Sequence, residues 1–233
     1  MCDDNFVIAI DGHAGSGKST VARMLAKALG WMHIDTGAMY RAVTLKALRL
    51  KLRLDDEQAL TNVASSTKIE FVTSSTGEQR ILMDGEDVTD EIRSPEVEAM
   101  VSHVSAIKGV RRALQAIQRD LAKDRCVVAE GRDMQTVVFP NAQLKVFLTA
   151  SLEERARRRY LELKVKGYDV SFEDVLKQTQ ERDKLDATRD DSPLMPAKDA
   201  IVIDTTHMSP EEVVQQILTI LRQRTKVERT EIT

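Results

Sequence analysis

Short, nearly continuous apolar runs alternate along the chain with longer stretches of helical periodicity. FVIAI (6–10), WMHI (31–34), CVVA (126–129), LKVFL (144–148) and AIVI (200–203) are the runs. Strands with both faces covered, as in a parallel sheet, have this composition. Between them the apolar residues recur every three or four positions. Val21, Met24, Leu25, Ala28 and Leu29 predict one helix, and Val97, Met100, Val101, Val104 and Ile107 another. Gly109 is expected to interrupt the latter before Val110, Leu114, Ile117 and Leu121. SPEE (209–212), an N-capping serine followed by proline at the first helical position, predicts the start of a last helix through Ile217 and Leu221. Alternating strands and helices imply an α/β fold with right-handed crossovers. The segment 67–92 breaks this rhythm. KIEFV, RILMDG and EDVTDEI, separated by TSSTGEQ and DGED, predict short antiparallel strands. A β insertion in an α/β domain suggests recognition of a substrate. The polar end of the chain, 226–233, is expected to be loose.

Composition narrows the function classes. The 233 residues are 42% hydrophobic, enough for a substantial core, and the 34 basic and 37 acidic residues leave a net charge of only −3. There is no basic excess of the kind that advertises nucleic acid, so any anion site has to be built locally. Neither Cys2 nor Cys126 has metal-ligand spacing, and two cysteines do not suggest a disulfide framework. No apolar stretch approaches a membrane span. A cytoplasmic, monomeric protein with small-molecule partners, without nucleic acid or membrane, is expected.

The strongest chemical signal is AIDGHAGSGKST (9–20). Gly12, Gly17, Lys18 and Ser19 match the phosphate-loop pattern G-x-x-x-x-G-K-[ST], and the motif lies between a predicted buried strand and an amphipathic helix, the setting it requires. Glycines let backbone amides and a helix N-terminus point at an anion. Residues 12–20, Gly12, His13, Ala14, Gly15, Ser16, Gly17, Lys18, Ser19 and Thr20, are the candidate ATP-binding loop. Lys18 supplies positive charge to the β- and γ-phosphates and Ser19 a hydroxyl to Mg²⁺. A base-reading N-K-x-D motif of GTPases is absent from the sequence, whereas a small-molecule kinase fits the length.

Such a kinase needs a second anion site, and other motifs follow strands at the sheet edge where open α/β folds bind ligands. HIDTGAMYR (33–41) offers Thr36 as a helix cap and Arg41 as a phosphate ligand; AEGRDMQTVVFP (129–140) brings Arg132 and Asp133. In ERDKLDATRDD (181–191), Arg182, Asp186 and Arg189 fall on one helical stripe. Arg155 and Arg159, four residues apart, are candidates for gripping donor phosphates.

IDGHAGSGKST, IDTGAMYR, DGEDVTDEIR, GRDMQTVVFP and ERD…D…TR…SPL occur in one order and together resemble the bacterial-type cytidylate kinases over roughly residues 6–222. The resemblance implies a P-loop nucleoside monophosphate kinase fold: one kinase domain, 1–233, with a five-stranded parallel sheet, a β-containing CMP-binding insertion at 64–103 and a helical lid at 155–190. It implies transfer of the γ-phosphoryl group of ATP to CMP or dCMP with Mg²⁺. Thr36, Arg41, Ser102, Arg111, Arg132, Asp133, Asp186 and Arg189 are then the CMP-binding residues. Lys18, Arg132, Arg182 and Arg189 act on the transferring group. Within that set, Ser102, Arg111 and Asp133 are expected to read cytosine and Asp186 to hold ribose hydroxyls. Four positions depart from the family's usual residues: His13 for proline, Glu130 for aspartate, Gln135 for glycine, and Leu185 where some members have arginine. A kinase for another small acceptor and a non-catalytic nucleotide-binding protein are the rival readings.

Overall fold

A computed structural model describes residues 5–74, 78–189 and 191–230, without the side chains of 225–230. Residues 75–77 of the expected turn, Asp190 and the last three residues of the expected loose tail lie outside the described residues. Chain order is β1 (Val7–Gly12), α1 (Lys18–Leu29), β2 (Met32–Asp35), α2 (Thr36–Arg49), α3 (Glu57–Ser66), β3 (Ile69–Thr73), β4 (Gln79–Met83), β5 (Glu86–Asp87), α4 (Pro95–Ala106), α5 (Lys108–Ala122), β6 (Val127–Gly131), β7 (Leu144–Thr149), α6 (Leu152–Val165), α7 (Phe172–Ala187), β8 (Ile201–Asp204) and α8 (Pro210–Thr230). All five apolar runs became strands. They form one sheet in the order β2-β6-β1-β7-β8, with β1 paired in parallel to β6 and β7, and β7 to β8.

The chain divides into two compact units, Met1–His33 with Asp124–Thr233, and Ile34–Lys123. In the first, side chains on one face of the sheet, among them Ile8, Ile10, Val128, Leu144, Val146 and Leu148, pack against Val21, Ala22 and Leu25 of α1 and Val213, Val214 and Ile217 of α8. Strand alternation therefore turns Ala9 and Asp11 to the opposite face. Ser209 and Glu212 cap α8 reciprocally: Ser209 N–H donates to Glu212 Oε2 at 2.8 Å and Glu212 N–H to Ser209 Oγ at 3.2 Å. The helix runs on to Thr230, through most of the segment expected to be loose. No helix among the described residues is long and apolar enough to cross a membrane.

In the second unit β3, β4 and β5 form the antiparallel sheet expected of 67–92. Helices α2, α3, α4 and α5 bury Met39, Val43, Leu60, Val97, Val104, Val110 and Leu114. Arg49 ties α2 to this sheet region through Glu86 and Glu91.

Three local expectations need correction. Gly109 does not interrupt a helix. The break falls at Ile107, extended at ψ 120, and Gly109 lies inside the first turn of α5. Glycine is needed there because a Cβ would stand 2.0 Å from Thr61 Oγ1 on α3. Thr36 is not the cap of α2. Asp35 is, its carboxylate accepting from Ala38 N–H at 2.9 Å, and Thr36 is the first helical residue. Cys126 is disulfide-bonded, against the expectation from cysteine count and spacing; Cys2 lies outside the described residues.

Gly109→Ala is expected to lower unfolding stability by about 1–3 kcal/mol through overpacking against α3, despite alanine's better helix propensity. Adding Thr61→Ala, which removes the two nearest atoms, should recover part of the loss in denaturant titrations. A fully stable Gly109→Ala protein would show that α3 and α5 are not held this closely.

Candidate active site

The phosphate loop leaves the central strand β1 at Gly12, and its shape is set by close backbone approaches. At Gly12, with φ 154, a Cβ would meet the Leu148 carbonyl oxygen at 2.0 Å; at Gly15, with φ 76, it would meet the Arg155 carbonyl oxygen at 2.9 Å. The loop is braced from outside. Thr205 Oγ donates to the Ser16 carbonyl at 3.1 Å, and Arg158 donates to the Gly15 carbonyl at 3.4 Å and the Thr205 carbonyl at 2.6 Å. Helices α2, α4, α6 and α7 begin with side-chain caps from Asp35, Ser94, Ser151 and Ser171, whereas α1 begins on Gly17 without one. Amides at the start of α1 are thus available to an anion.

Lys18 is nine-tenths buried, and its Nζ donates to the His13 carbonyl at 2.7 Å. Burial, and then the charge of Arg132, push its ammonium well below the usual lysine range, with Arg182 adding to the effect and Glu130 opposing it. The buried ammonium therefore has two further cations, Arg132 and Arg182, acting on it. A polyanion there would relieve the repulsion.

Two buried carboxylates flank the loop. Glu130, at the end of β6, accepts from Ser19 Oγ at 2.9 Å and stands 3.4 Å from His33 Nε2. Burial alone would raise its pKa, but the imidazole, the Lys18 charge and the Ser19 hydroxyl together hold it below the usual carboxylate value. Among the described residues no group of three or more His, Cys, Asp or Glu side chains could hold a metal. The Ser19 and Glu130 oxygens are hard donors, and they fit an ion such as Mg²⁺ that keeps most of its shell as phosphate oxygens and water. Asp11 is the second carboxylate. It is wholly buried and accepts from Met134 N–H at 3.0 Å and Gln135 N–H at 2.8 Å. Burial raises its pKa to about 7 against the lowering by those two amides.

The stripe in α7 faces inward as its spacing predicts, although the helix ends at Ala187 and Arg189 lies just past it. Asp186 is 2% exposed; Arg132 Nε donates to its Oδ2 at 2.8 Å, and Arg189 bonds the other oxygen. Lys184 and Leu185 are exposed, so two of the charged stretch's neighbours remain a solvated face. Asp183, absent from the sequence-derived candidates, pairs with Arg155 Nη at 2.7 Å and stands 3.4 Å from His13 Nδ1. Burial tends to raise its carboxyl, and His13 and Arg155 outweigh that to hold it low. The remaining donors of Arg155 go to the Ala150 carbonyl at 3.0 Å and the Ala14 carbonyl at 3.3 Å, while Arg159 pairs with Glu162 at 2.8 Å. The arginine flanked by these two, Arg158, is the one braced against Gly15; a spacing argument alone passed over it.

The second unit carries Thr36 and Arg41 on α2, Ser102 on α4 and Arg111 on α5. Thr36 is buried. Arg41 Nε donates to Glu98 at 2.8 Å. Arg111 is 1% exposed, lies over the Tyr40 ring at 5.7 Å and donates to the Ser105 carbonyl at 3.1 Å. A charged group so thoroughly dried is costly unless it has work to do or partners to neutralise it.

A glycine-shaped phosphate loop on the central strand of a parallel sheet, with a buried lysine and arginines beside it, defines a P-loop phosphotransferase. Comparison with known proteins narrows this. The family model for cytidylate kinase matches residues 8–223, and the chain belongs to that family. Relatives named cytidylate kinase include one from Caldanaerobacter subterraneus subsp. tengcongensis, 53% identical over 95% of this chain and 96% of its own. Another, from Caldicellulosiruptor bescii, is 52% identical over 91% of this chain and 93% of its own. The crystal structure of an uncharacterized protein from Eubacterium ventriosum matches with a TM-score of 0.51 at 13% identity, over 94% of this chain and 99% of that one, a likeness of fold alone.

The raised pKa of Asp11 gives stability a definite pH dependence. Its folded value, about 7, lies above the ordinary 3.8, so its contribution is fully present below 3.8 and is lost as pH rises through about 7. Asn at this position does not titrate. Unfolding free energies of wild type minus Asp11→Asn, measured from pH 4 upward, should therefore fall across that window. A flat difference would show that Asp11 is not desolvated as described.

Proposed function

We propose that the protein transfers the γ-phosphoryl group of ATP to CMP or dCMP, giving CDP or dCDP. The observation that carries this reading is the buried Lys18 at the phosphate loop with the charges of Arg132 and Arg182 beside it, within a chain of the cytidylate kinase family. The acceptor is a phosphate monoester, whose second pKa near 6 leaves its oxygen largely anionic at pH 7. It needs no general base. The barrier lies in bringing two polyanions together and supporting the phosphoryl group in line.

Residues 12–20 hold the triphosphate through backbone amides, with Lys18 on the β- and γ-oxygens. Mg²⁺, held through Ser19 with Glu130 behind it, would neutralise charge on those oxygens. Arg132, Arg182 and Arg189 contact the acceptor or the transferring phosphoryl. Thr36 and Arg41 serve the acceptor phosphate, for which the Arg41–Glu98 pair would have to open or share. Ser102, Arg111 and Asp133 read cytosine, and Asp186 takes the ribose hydroxyls while holding Arg132 and Arg189. Helices α6 and α7 act as the lid that excludes water.

The direct test follows ADP formation with CMP, dCMP, UMP and AMP as acceptors. CMP and dCMP should be used far better than AMP. Lys18→Ala should remain folded and lose at least about a hundredfold in kcat, the scale of one charge contact made in the transition state. A preference for AMP, or an undiminished kcat in the folded variant, rules the reading out.

A second comparison separates the inward stripe of α7 from its outer face. Arg189→Ala should reduce kcat at least about tenfold, because a cation lost from the closing site is lost from the transition state. Lys184→Ala, on the exposed side, should change activation free energy by less than about 1 kcal/mol. Equal kinetics in the two variants would reduce the stretch to a solvated helix.

A further inference from the structure

Asp11 has no part in the transfer just described, yet it is a buried carboxylate one residue ahead of the phosphate loop. Its place in the sheet is defined. In the parallel register of β1 and β6, Asp11 lies opposite Gly131, the residue before Arg132 and Asp133. After Asp133 the chain makes a π-helical turn, Met134–Val138, whose last amides, Val137 N–H and Val138 N–H, return to the Asp133 carbonyl at 2.9 and 3.1 Å. The first amides of such a turn have no partner inside it. Met134 and Gln135 are both buried, so water cannot serve them. The Asp11 carboxylate takes one amide on each oxygen, at 3.0 and 2.8 Å.

A second clamp grips the same turn. The Gln135 side chain, 1% exposed, donates to the Val146 carbonyl at 2.6 Å and the Ala9 carbonyl at 3.5 Å, and accepts from Ala197 N–H at 3.3 Å. Both clamps reach across the sheet face opposite the α1–α8 core. Asp133 itself is 2% exposed and immediately precedes the clamped amides.

We infer that Asp11, assisted by Gln135, is a positioning residue for base selectivity: it fixes the turn that aims Asp133 and Arg132 at the acceptor nucleotide. Because the same strand end starts the phosphate loop, β1 sets the donor loop and the acceptor-reading turn in one frame. A carboxylate is required rather than an amide, since only two acceptor oxygens satisfy two N–H donors; an asparagine would turn an NH₂ group against one of them. A misaimed Asp133 would meet the cytosine amine poorly, while uracil, which has a carbonyl there, loses nothing. The inference rests on the reading that Asp133 recognises cytosine.

The test measures kcat and KM for CMP and UMP, and KM for ATP, in Asp11→Asn, Gln135→Ala and Asp133→Ala. Asp133→Ala should abolish most of the preference for CMP. Asp11→Asn should lower the CMP:UMP ratio of kcat/KM by about tenfold or more, mainly through KM for CMP, with KM for ATP within about twofold of wild type. Gln135→Ala should act in the same direction with a smaller effect, and it decides the matter if Asp11→Asn does not fold. A purely structural role would lower thermal stability and leave the CMP:UMP ratio unchanged in both, and that result would overturn the inference. If Asp133→Ala keeps its preference for CMP, the reading of Asp133 fails and the inference falls with it. If Asp133→Ala loses the preference while both clamp variants keep it, only the inference fails.

Discussion

A lysine buried beside other cations is the constraint around which the phosphate loop's surroundings are built. Burial first, and then the charges of Arg132 and Arg182, depress the affinity of Lys18 for its proton. Left alone, such side chains would swing apart into solvent. Two of them have a visible restraint. Lys18 is tethered by the His13 carbonyl. Arg132 is tethered by Asp186, which takes Arg189 on its other oxygen. A single carboxylate thus orders two guanidinium groups. Ordered positive charge is what a kinase needs, because it acts on phosphate oxygens and most strongly when charge spreads over a transferring phosphoryl group.

The loop that receives those oxygens has to be rigid for the potential to act at a defined distance. The Leu148 carbonyl on β7 leaves room only for hydrogen at Gly12, and α6 does the same at Gly15 through the Arg155 backbone. Thr205, following β8, reaches the Ser16 carbonyl. Three elements distant in sequence therefore shape a six-residue turn. The uncapped start of α1 completes it, since the protein leaves to the ligand a job that serine or aspartate performs for α2, α4, α6 and α7.

What was legible beforehand depended on signals carried within a short window. Continuous apolar runs revealed every strand of the main sheet, because burial on both faces imprints each strand separately. The phosphate loop was legible since glycine spacing and a lysine are local requirements. The inward placement of Asp186 followed from helical period, whereas Arg189 lies past the end of α7 and reaches Asp186 from there. Partnerships between distant segments left no such trace. Nothing near Asp11 in the chain announces that it caps a turn 123 residues later. Asp183 looked like one more charge in a charged stretch until Arg155 and His13 were beside it. Gly109 was misread for a related reason: glycine signals either a break or a close approach, and only the position of Thr61 on another helix distinguishes them. Asp35 and Thr36 are adjacent capping residues, and the choice between them was settled by where β2 ends.

The arginines of α6 show how partner chemistry divides roles among residues of one type. Arg155 is buried, and its donors are taken by two backbone carbonyls and the Asp183 carboxylate. Arg158 is likewise distributed over the Gly15 and Thr205 carbonyls and Glu154. Arg155 has the Asp183 carboxylate as counter-charge and Arg158 shares Glu154 with Arg157, and each would have to give up a loop carbonyl to reach a phosphate. As they stand, both brace the loop. Arg132 and Arg189 instead meet on the Asp186 carboxylate, away from the loop's own carbonyls. An arginine near a phosphate loop is therefore assigned by what it already bonds: donors given to the loop's own carbonyls make it a strut, whatever charge it carries.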